Sequence, residues 1–117
     1  MAEFTIYHNP KCSKSRETLS ILKGRAVDLQ IIEYLKTPLS SKTLAGLLAK
    51  LPDGAKVLLR KDNRFRELGY NAEDYTTADS VAEILEEHPE LMQRPVVVRG
   101  SRAVIARPAD RVLEILN

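Results

Sequence analysis

The sequence predicts an α/β protein built on a small mixed β-sheet. Four short apolar runs are expected to be strands: residues 4–8, 28–34, 96–98 and 103–106. A helical pattern connects the first two runs, which favours parallel strands joined by a right-handed crossover. The turn at Gly100-Ser101 connects the last two runs, which favours an antiparallel hairpin.

The helices are predicted from apolar residues that recur at helical spacing. Leu19 and Leu22 mark the first helix. Ser13 is its expected N-terminal cap, and Gly24 ends it. A final helix begins at Pro108, with three apolar residues expected to face inward: Val112, Leu113 and Leu116. The chain therefore begins with β-α-β and ends with β-β-α.

A helical insertion at about residues 40–92 is predicted between these two motifs. One of its helices carries an apolar stripe formed by Leu44, Leu47, Leu48 and Leu51. Another is expected to start near Thr77 and to end at His88. The complete order is that of the thioredoxin-like fold, and one domain spanning residues 1–117 accounts for the chain.

The composition argues against nucleic-acid binding, membrane insertion and metal binding. The formal net charge is only +2, tryptophan is absent and phenylalanine occurs twice, so base-stacking surfaces are not expected. No apolar run approaches the roughly 20 residues that span a bilayer, and no signal-peptide pattern is present. One cysteine and two distant histidines make no metal-ligand cluster. A single cysteine also indicates a reducing compartment, so we expect a cytoplasmic protein.

Cys12 is the most informative residue, because it stands between the first predicted strand and the first predicted helix. Unpaired N–H groups and the positive end of the helix dipole favour an anion there, and the thiolate is the reactive form of cysteine. His8 and Ser15 are expected to tune the sulfur, and three basic residues add positive charge: Lys11, Lys14 and Arg16. A lone cysteine is more often a small buried apolar residue, but these neighbours favour catalytic use.

The run Cys12-Ser13-Lys14-Ser15 has the spacing of a Cys-x-x-Cys redox pair, but serine replaces the second cysteine. The chain therefore has no second thiol with which to close its own disulfide. A covalent adduct on Cys12 must be resolved by an outside thiol.

Three arginines at the ends of separate predicted elements suggest a pocket for an oxyanion: Arg60, Arg94 and Arg107. A guanidinium group binds a tetrahedral oxyanion through two hydrogen bonds and keeps its charge. Each arginine taken singly is better explained as a solvated side chain. In thioredoxin-like folds the proline equivalent to Pro95 is usually cis and lies against the active-site loop, so we expect Arg94 beside Cys12.

The sequence resembles the glutaredoxin-coupled arsenate reductases over essentially its whole length. Four blocks carry the resemblance: residues 8–16, 58–61, 88–98 and 107–108. The first block, His-Asn-Pro-Lys-Cys-Ser-Lys-Ser-Arg, is similar to the family's His-Asn-Pro-x-Cys-x-x-Ser-Arg signature.

This resemblance implies a thioredoxin-like oxidoreductase that reduces arsenate to arsenite in arsenic detoxification. Cys12 would be the nucleophile, supported by His8 and Ser15, and three arginines would hold the arsenate: Arg60, Arg94 and Arg107. The resemblance also implies glutathione as co-substrate and glutaredoxin as partner, with no bound cofactor or metal. We expect the enzyme to be a cytoplasmic monomer.

Two alternatives stay open at this point. Spx-type transcription regulators share the fold and bind RNA polymerase without converting a substrate, but many of them carry Cys-x-x-Cys in this loop. The serine at position 15 and the oxyanion arginines favour the enzyme. The other alternative is a thiol-dependent reductase of a different oxyanion, which the sequence does not separate from an arsenate reductase.

Overall fold

Residues 3–52 and 54–116 of the 117-residue chain are described by a computed structural model. Backbone contacts group them into two units. The sheet unit contains the described residues up to Thr37 and from Arg94 onward, and the helical unit is Pro38–Gln93. The expected single-domain organisation stays a prediction.

The sheet unit carries a four-stranded mixed sheet. Its elements in chain order are β1 (Phe4–Tyr7), α1 (Ser13–Gly24), β2 (Leu29–Ile32), β3 (Val96–Arg99), β4 (Arg102–Ile105) and a 3-10 helix (Ala109–Ile115). The strands lie in the order β2-β1-β3-β4, with β1 parallel to β2 and β3 antiparallel to both β1 and β4. This is the thioredoxin-like arrangement that the sequence predicts.

Helix α1 and the final 3-10 helix pack against each other, and the core of the sheet unit gathers residues from both of them and from the sheet. Phe4 and Ile6 lie two residues apart on β1, so the strand pleat points both side chains to one face. The buried members of this core are Phe4, Ile6, Leu22, Val97, Val104, Ala106, Val112 and Ile115. Their burial supplies most of the favourable free energy of folding in this unit.

The final helix differs from the prediction in its inward face. It is a 3-10 helix, in which residues three positions apart are eclipsed. The buried residues follow that period of three: Ala109, Val112 and Ile115. Leu113 was expected to face inward and is instead 38% exposed. The prediction for Leu113 was wrong because it assumed the period of an α-helix.

The helical unit is built around two packed helices, α2 (Ser41–Lys50) and α5 (Ala78–Glu87). The predicted leucine stripe of α2 is buried, as are Val81, Ile84 and Leu85 on α5. Two short helices lie between them along the chain: α3 (Gly54–Val57) and α4 (Asn63–Glu67).

Within the residues that the structure describes, no helix combines the length and apolar character required to cross a membrane. The same residues contain no cluster of three or more histidine, cysteine, aspartate or glutamate side chains suited to a metal ion.

Candidate active site

Cys12 occupies the N-cap of α1, with an extended backbone at φ −96° and ψ 123°. The sequence predicted Ser13 for that position, but Ser13 is the first residue of the helix. An N-cap side chain normally accepts hydrogen bonds from the N–H groups two or three residues further on. At the N-cap of α1, the side chain is instead the partly exposed thiol of Cys12.

Several neighbours stabilise the thiolate form of Cys12. Partial burial acts to raise the pKa of the thiol, but the opposing interactions prevail and the pKa is lowered overall. The opposing interactions come, in order of size, from the Ser15 backbone N–H, from the guanidinium group of Arg94 and from the Lys14 backbone N–H, all of which favour the charged sulfur. The pKa of Cys12 therefore lies below that of an ordinary cysteine, and the thiolate is the nucleophilic form.

Arg94 and Arg107 both face Cys12. The Nη1 atom of Arg107 lies 4.0 Å from the Cys12 Sγ and donates to the Arg94 carbonyl oxygen at 3.0 Å. The Arg94 Nε atom is buried and has no hydrogen-bond partner among the described residues. A buried N–H group without an acceptor destabilises the folded protein. A bound anion would supply the missing acceptor for this group.

Both arginines precede a proline at the end of the sheet. The Arg94–Pro95 and Arg107–Pro108 peptide bonds are cis. The Pro95 carbonyl oxygen accepts from the Ala106 N–H at 3.0 Å, which joins the segment before β3 to the segment after β4. The two guanidinium groups therefore start from adjacent chain segments.

His8 contacts the Ser15 side chain. The His8 Nδ1 and the Ser15 Oγ are 2.7 Å apart, and both residues are buried. The pKa of His8 is lowered, chiefly by burial, with Glu33 acting to raise it and Lys23 and Arg16 acting to lower it. The Ser15 hydroxyl accepts from the Asn9 N–H at 3.0 Å, which leaves its own hydrogen free to bond a neutral imidazole.

Arg60 belongs to the helical unit. Its backbone N–H donates to the Leu91 carbonyl at 2.8 Å, and its guanidinium forms an ion pair of 3.0 Å with Asp62. The predicted place of Arg60 in the oxyanion pocket stays a prediction.

Comparison with known proteins places these features in a family. The model of the ArsC family matches residues 7–115, which include Cys12 and all three arginines. The chain belongs to the ArsC family.

Relatives of this ArsC chain match over nearly its whole length. The uncharacterized protein YfgD of Escherichia coli strain K12 is 42% identical, with 96% of this chain and 95% of YfgD covered. A protein of the same strain named arsenate reductase is 40% identical, with 99% of this chain and 82% of that protein covered. Among solved structures, an arsenate reductase from Vibrio cholerae is 38% identical, with a TM-score of 0.82 and 98% of both chains covered.

Sequence reasoning missed two residues that contact the Cys12 loop of this ArsC protein. Asn9 forms hydrogen bonds with other residues of the loop. The Asn9-Pro10 pair is typical of turns, and this pattern in the sequence could have indicated the role of Asn9. Tyr34 is 1% exposed and interacts with Asn9, Cys12 and Arg94. No local signal marked Tyr34, because its position in the sequence reads as the end of an ordinary strand.

Proposed function

We propose that this ArsC-family protein reduces arsenate to arsenite, with Cys12 as the nucleophile. One observation carries the proposal: Arg94 and Arg107 face a single thiol whose pKa is lowered by its surroundings. The same groups that stabilise a thiolate also suit a tetrahedral oxyanion. The similarity to proteins named arsenate reductase, at about 40% identity over nearly the full chain, identifies arsenate as the oxyanion.

Arsenate binds to the guanidinium groups of Arg94 and Arg107 in this proposal. Arg94 Nε is a suitable donor to arsenate because it is buried and lacks an acceptor among the described residues. Guanidinium groups hold oxyanions through paired, charge-assisted hydrogen bonds. We assign the third guanidinium of the pocket to Arg60, on the strength of the sequence resemblance. We assign a structural role beside the Cys12 loop to Pro95, which directly follows Arg94, on the basis of the predicted thioredoxin-like fold.

The first chemical step forms a bond between sulfur and arsenic. The Cys12 thiolate attacks arsenic(V), the sulfur–arsenic bond forms, and one arsenic–oxygen bond breaks. The departing oxygen takes up a proton and leaves as water. The arginines neutralise the negative charge of the arsenate, which would otherwise repel an anionic nucleophile. His8 and Ser15 support this step because their contact holds the start of α1 to the end of β1.

The second step transfers two electrons to arsenic. A glutathione thiolate attacks the Cys12 sulfur, the sulfur–arsenic bond breaks with its electron pair remaining on arsenic, and arsenite forms. The products are arsenite and a mixed disulfide between Cys12 and glutathione. A glutaredoxin thiolate then takes the glutathione and releases the Cys12 thiolate. An outside thiol is required because Cys12 is the only cysteine in the chain.

A coupled assay tests the proposal. Purified protein is mixed with arsenate, glutathione, glutaredoxin, glutathione reductase and NADPH, and arsenite and NADPH are measured. We expect the amount of arsenite formed to match the amount of NADPH consumed. In a reaction without glutaredoxin, mass spectrometry should detect a glutathione adduct on Cys12. Arsenite formation that is unchanged when Cys12 is replaced by serine would refute the assignment. Absence of arsenite, together with reduction of another oxyanion, would favour the alternative reductase.

We also propose that the protein acts in the cytoplasm as a monomer, which fits a single free cysteine and a co-substrate thiol kept reduced there. Size-exclusion chromatography with light scattering should give a mass near 13.1 kDa. A mass of twice that value, unchanged on dilution, would contradict the monomer.

A further inference from the structure

The loop between β1 and α1 is held together by Asn9. The Asn9 carbonyl oxygen accepts from the Cys12 N–H at 3.0 Å, which closes a four-residue turn from Asn9 to Cys12. The Asn9 side-chain Oδ1 accepts from the Lys11 N–H at 3.0 Å. The Asn9 N–H donates to the Ser15 Oγ at 3.0 Å, which ties the turn to the first turn of α1. Asn9 thus contacts the loop both before and after the nucleophile.

Tyr34 supports the Asn9 side chain from the neighbouring strand segment. Tyr34 follows β2, and the last residue of that strand, Ile32, accepts from the His8 N–H at 2.8 Å. Tyr34 is 1% exposed, and its phenol interacts with the Asn9 side chain, which acts to lower the pKa of Tyr34. Burial raises the pKa of Tyr34 to about 12, so the hydroxyl stays protonated and uncharged near neutral pH.

We propose that Asn9, held by the buried Tyr34, is a positioning residue that fixes the loop in the shape in which Cys12 reacts. Lys14 and Ser15 offer their N–H groups to the sulfur only when Cys12 stands at the N-cap of α1. The turn from Asn9 to Cys12 sets that position, and the Asn9 side chain supplies one of its two hydrogen bonds.

Loss of the Asn9 side chain is expected to make the Cys12 thiolate less stable. Asn9→Ala leaves the backbone hydrogen bonds possible but removes the acceptor for the Lys11 N–H and the partner of Tyr34. The loop then samples shapes in which the sulfur loses N–H contacts, and the thiolate is less favoured. Asn9→Ser restores part of the turn, because a serine hydroxyl accepts the same N–H more weakly.

The test compares four single variants and one double variant with the wild type. Asn9→Ala, Asn9→Ser and Tyr34→Phe alter the proposed support. Asn71→Ala is the matched control, because Asn71 Oδ1 accepts from the Glu73 N–H at 3.3 Å in the same two-residue arrangement but within the helical unit. The readouts are the rate of Cys12 alkylation by iodoacetamide across pH, the urea midpoint of unfolding, and kcat and KM for arsenate.

We expect Asn9→Ala to slow alkylation near neutral pH about fivefold, the effect of about one hydrogen bond, with the rates converging at high pH where every thiol is ionised. Asn9→Ser and Tyr34→Phe should give smaller losses, and Asn71→Ala should give none. The double variant Asn9→Ala with Tyr34→Phe should be no slower than Asn9→Ala alone, because both remove the same contact.

Unchanged alkylation profiles in Asn9→Ser and Tyr34→Phe would overturn the proposal, even if Asn9→Ala fails to fold. A loss in Asn71→Ala as large as in Asn9→Ala would also overturn it, because the effect would then be general destabilisation. The inference rests on the proposed function only for its effect on kcat. If wild-type protein reduces no arsenate but the alkylation profiles shift as expected, the proposed function fails and the positioning role of Asn9 stands.

Discussion

The helices of the two units begin in different ways. In the helical unit the N-termini of α2, α4 and α5 are capped by side chains that carry an oxygen acceptor. Ser40 caps α2 by accepting from the Thr43 N–H at 3.2 Å, and Asp62 caps α4 by accepting from the Phe65 N–H at 3.3 Å. Thr77 and Ser80 form a reciprocal capping box at α5. In the sheet unit, α1 has no oxygen cap, and Cys12 holds the capping position.

The capped N-termini of the helical unit contribute to stability, whereas the N-terminus of α1 contributes to the reactivity of Cys12. A serine, threonine or aspartate cap stabilises a helix by about 1 kcal/mol. Helix α1 gives up that contribution, and its N–H groups act instead on a sulfur atom that can be charged. The positive end of the helix dipole then favours the thiolate together with any anion bound beside it.

The largest expected effect comes from making α1 like the other helices. In Cys12→Ser, turnover of arsenate should fall on the order of 10³-fold or more, because the nucleophile is lost. The urea midpoint should stay the same or rise, because serine is a favoured N-cap. Loss of activity accompanied by a large drop in the midpoint would mean that Cys12 is a structural residue, contrary to this comparison.

The next largest effect is expected from the arginines that face Cys12. Arg94→Ala removes the guanidinium but keeps the carbonyl that Arg107 contacts, so it isolates the effect of one charge. We expect kcat/KM for arsenate to fall on the order of 10²-fold, by analogy with the loss of one oxyanion donor.

Arg111→Ala is the control for Arg94→Ala. Arg111 forms an exposed ion pair of 3.2 Å with Glu114 in the same unit, and such pairs contribute about 0–1 kcal/mol. Its kcat/KM should match the wild type. Equal losses in Arg94→Ala and Arg111→Ala would show that general positive charge, rather than the placement of Arg94, attracts the anion.

A smaller effect, on stability alone, is expected at the capping box of α5. Thr77→Ala should lower the free energy of unfolding by about 1 kcal/mol, because the Ser80 N–H loses its acceptor. The alkylation profile of Cys12 should not change. Thr76→Ala, the exposed neighbour, is the control and should leave the free energy of unfolding within about 0.5 kcal/mol of the wild type.

The smallest effect concerns His8 and pH. The lowered pKa of His8 means that the unfolded chain binds its proton more readily than the folded protein does. The contribution of His8 to stability is therefore complete above its ordinary pKa of about 6.5 and is lost as pH falls through the lowered value. Between the lowered pKa and about 6.5, the unfolding free energy of His8→Gln should change less steeply with pH than that of the wild type. The two slopes should differ by at most about 1.4 kcal/mol per pH unit, the effect of one proton. Identical pH dependence in urea titrations of both proteins would contradict a buried, neutral His8.

The fold was predictable because its signals are local and agree with one another. The apolar runs of the four strands, the leucine stripe of α2 and the Thr77 start of α5 each specify one element. The final helix was less predictable, because Val112 and Leu113 are both apolar and only the observed period of three selects Val112.

The site was predictable only in part. Cys12 is the single cysteine, and Arg94 and Arg107 precede prolines, so each carries a mark in the sequence. Tyr34 carries none, because its role depends on the parallel pairing that brings the end of β2 beside the end of β1. The choice of Cys12 over Ser13 as the N-cap depends on one backbone conformation, which sequence patterns do not resolve.

The pH dependence of Cys12 alkylation tests the central claim most directly, because the chain has no other cysteine to contribute to the signal. We expect a midpoint below the ordinary cysteine pKa of about 8.5, and a higher midpoint in Arg94→Ala than in the wild type. A wild-type midpoint at or above the ordinary value, unmoved by Arg94→Ala, would contradict it.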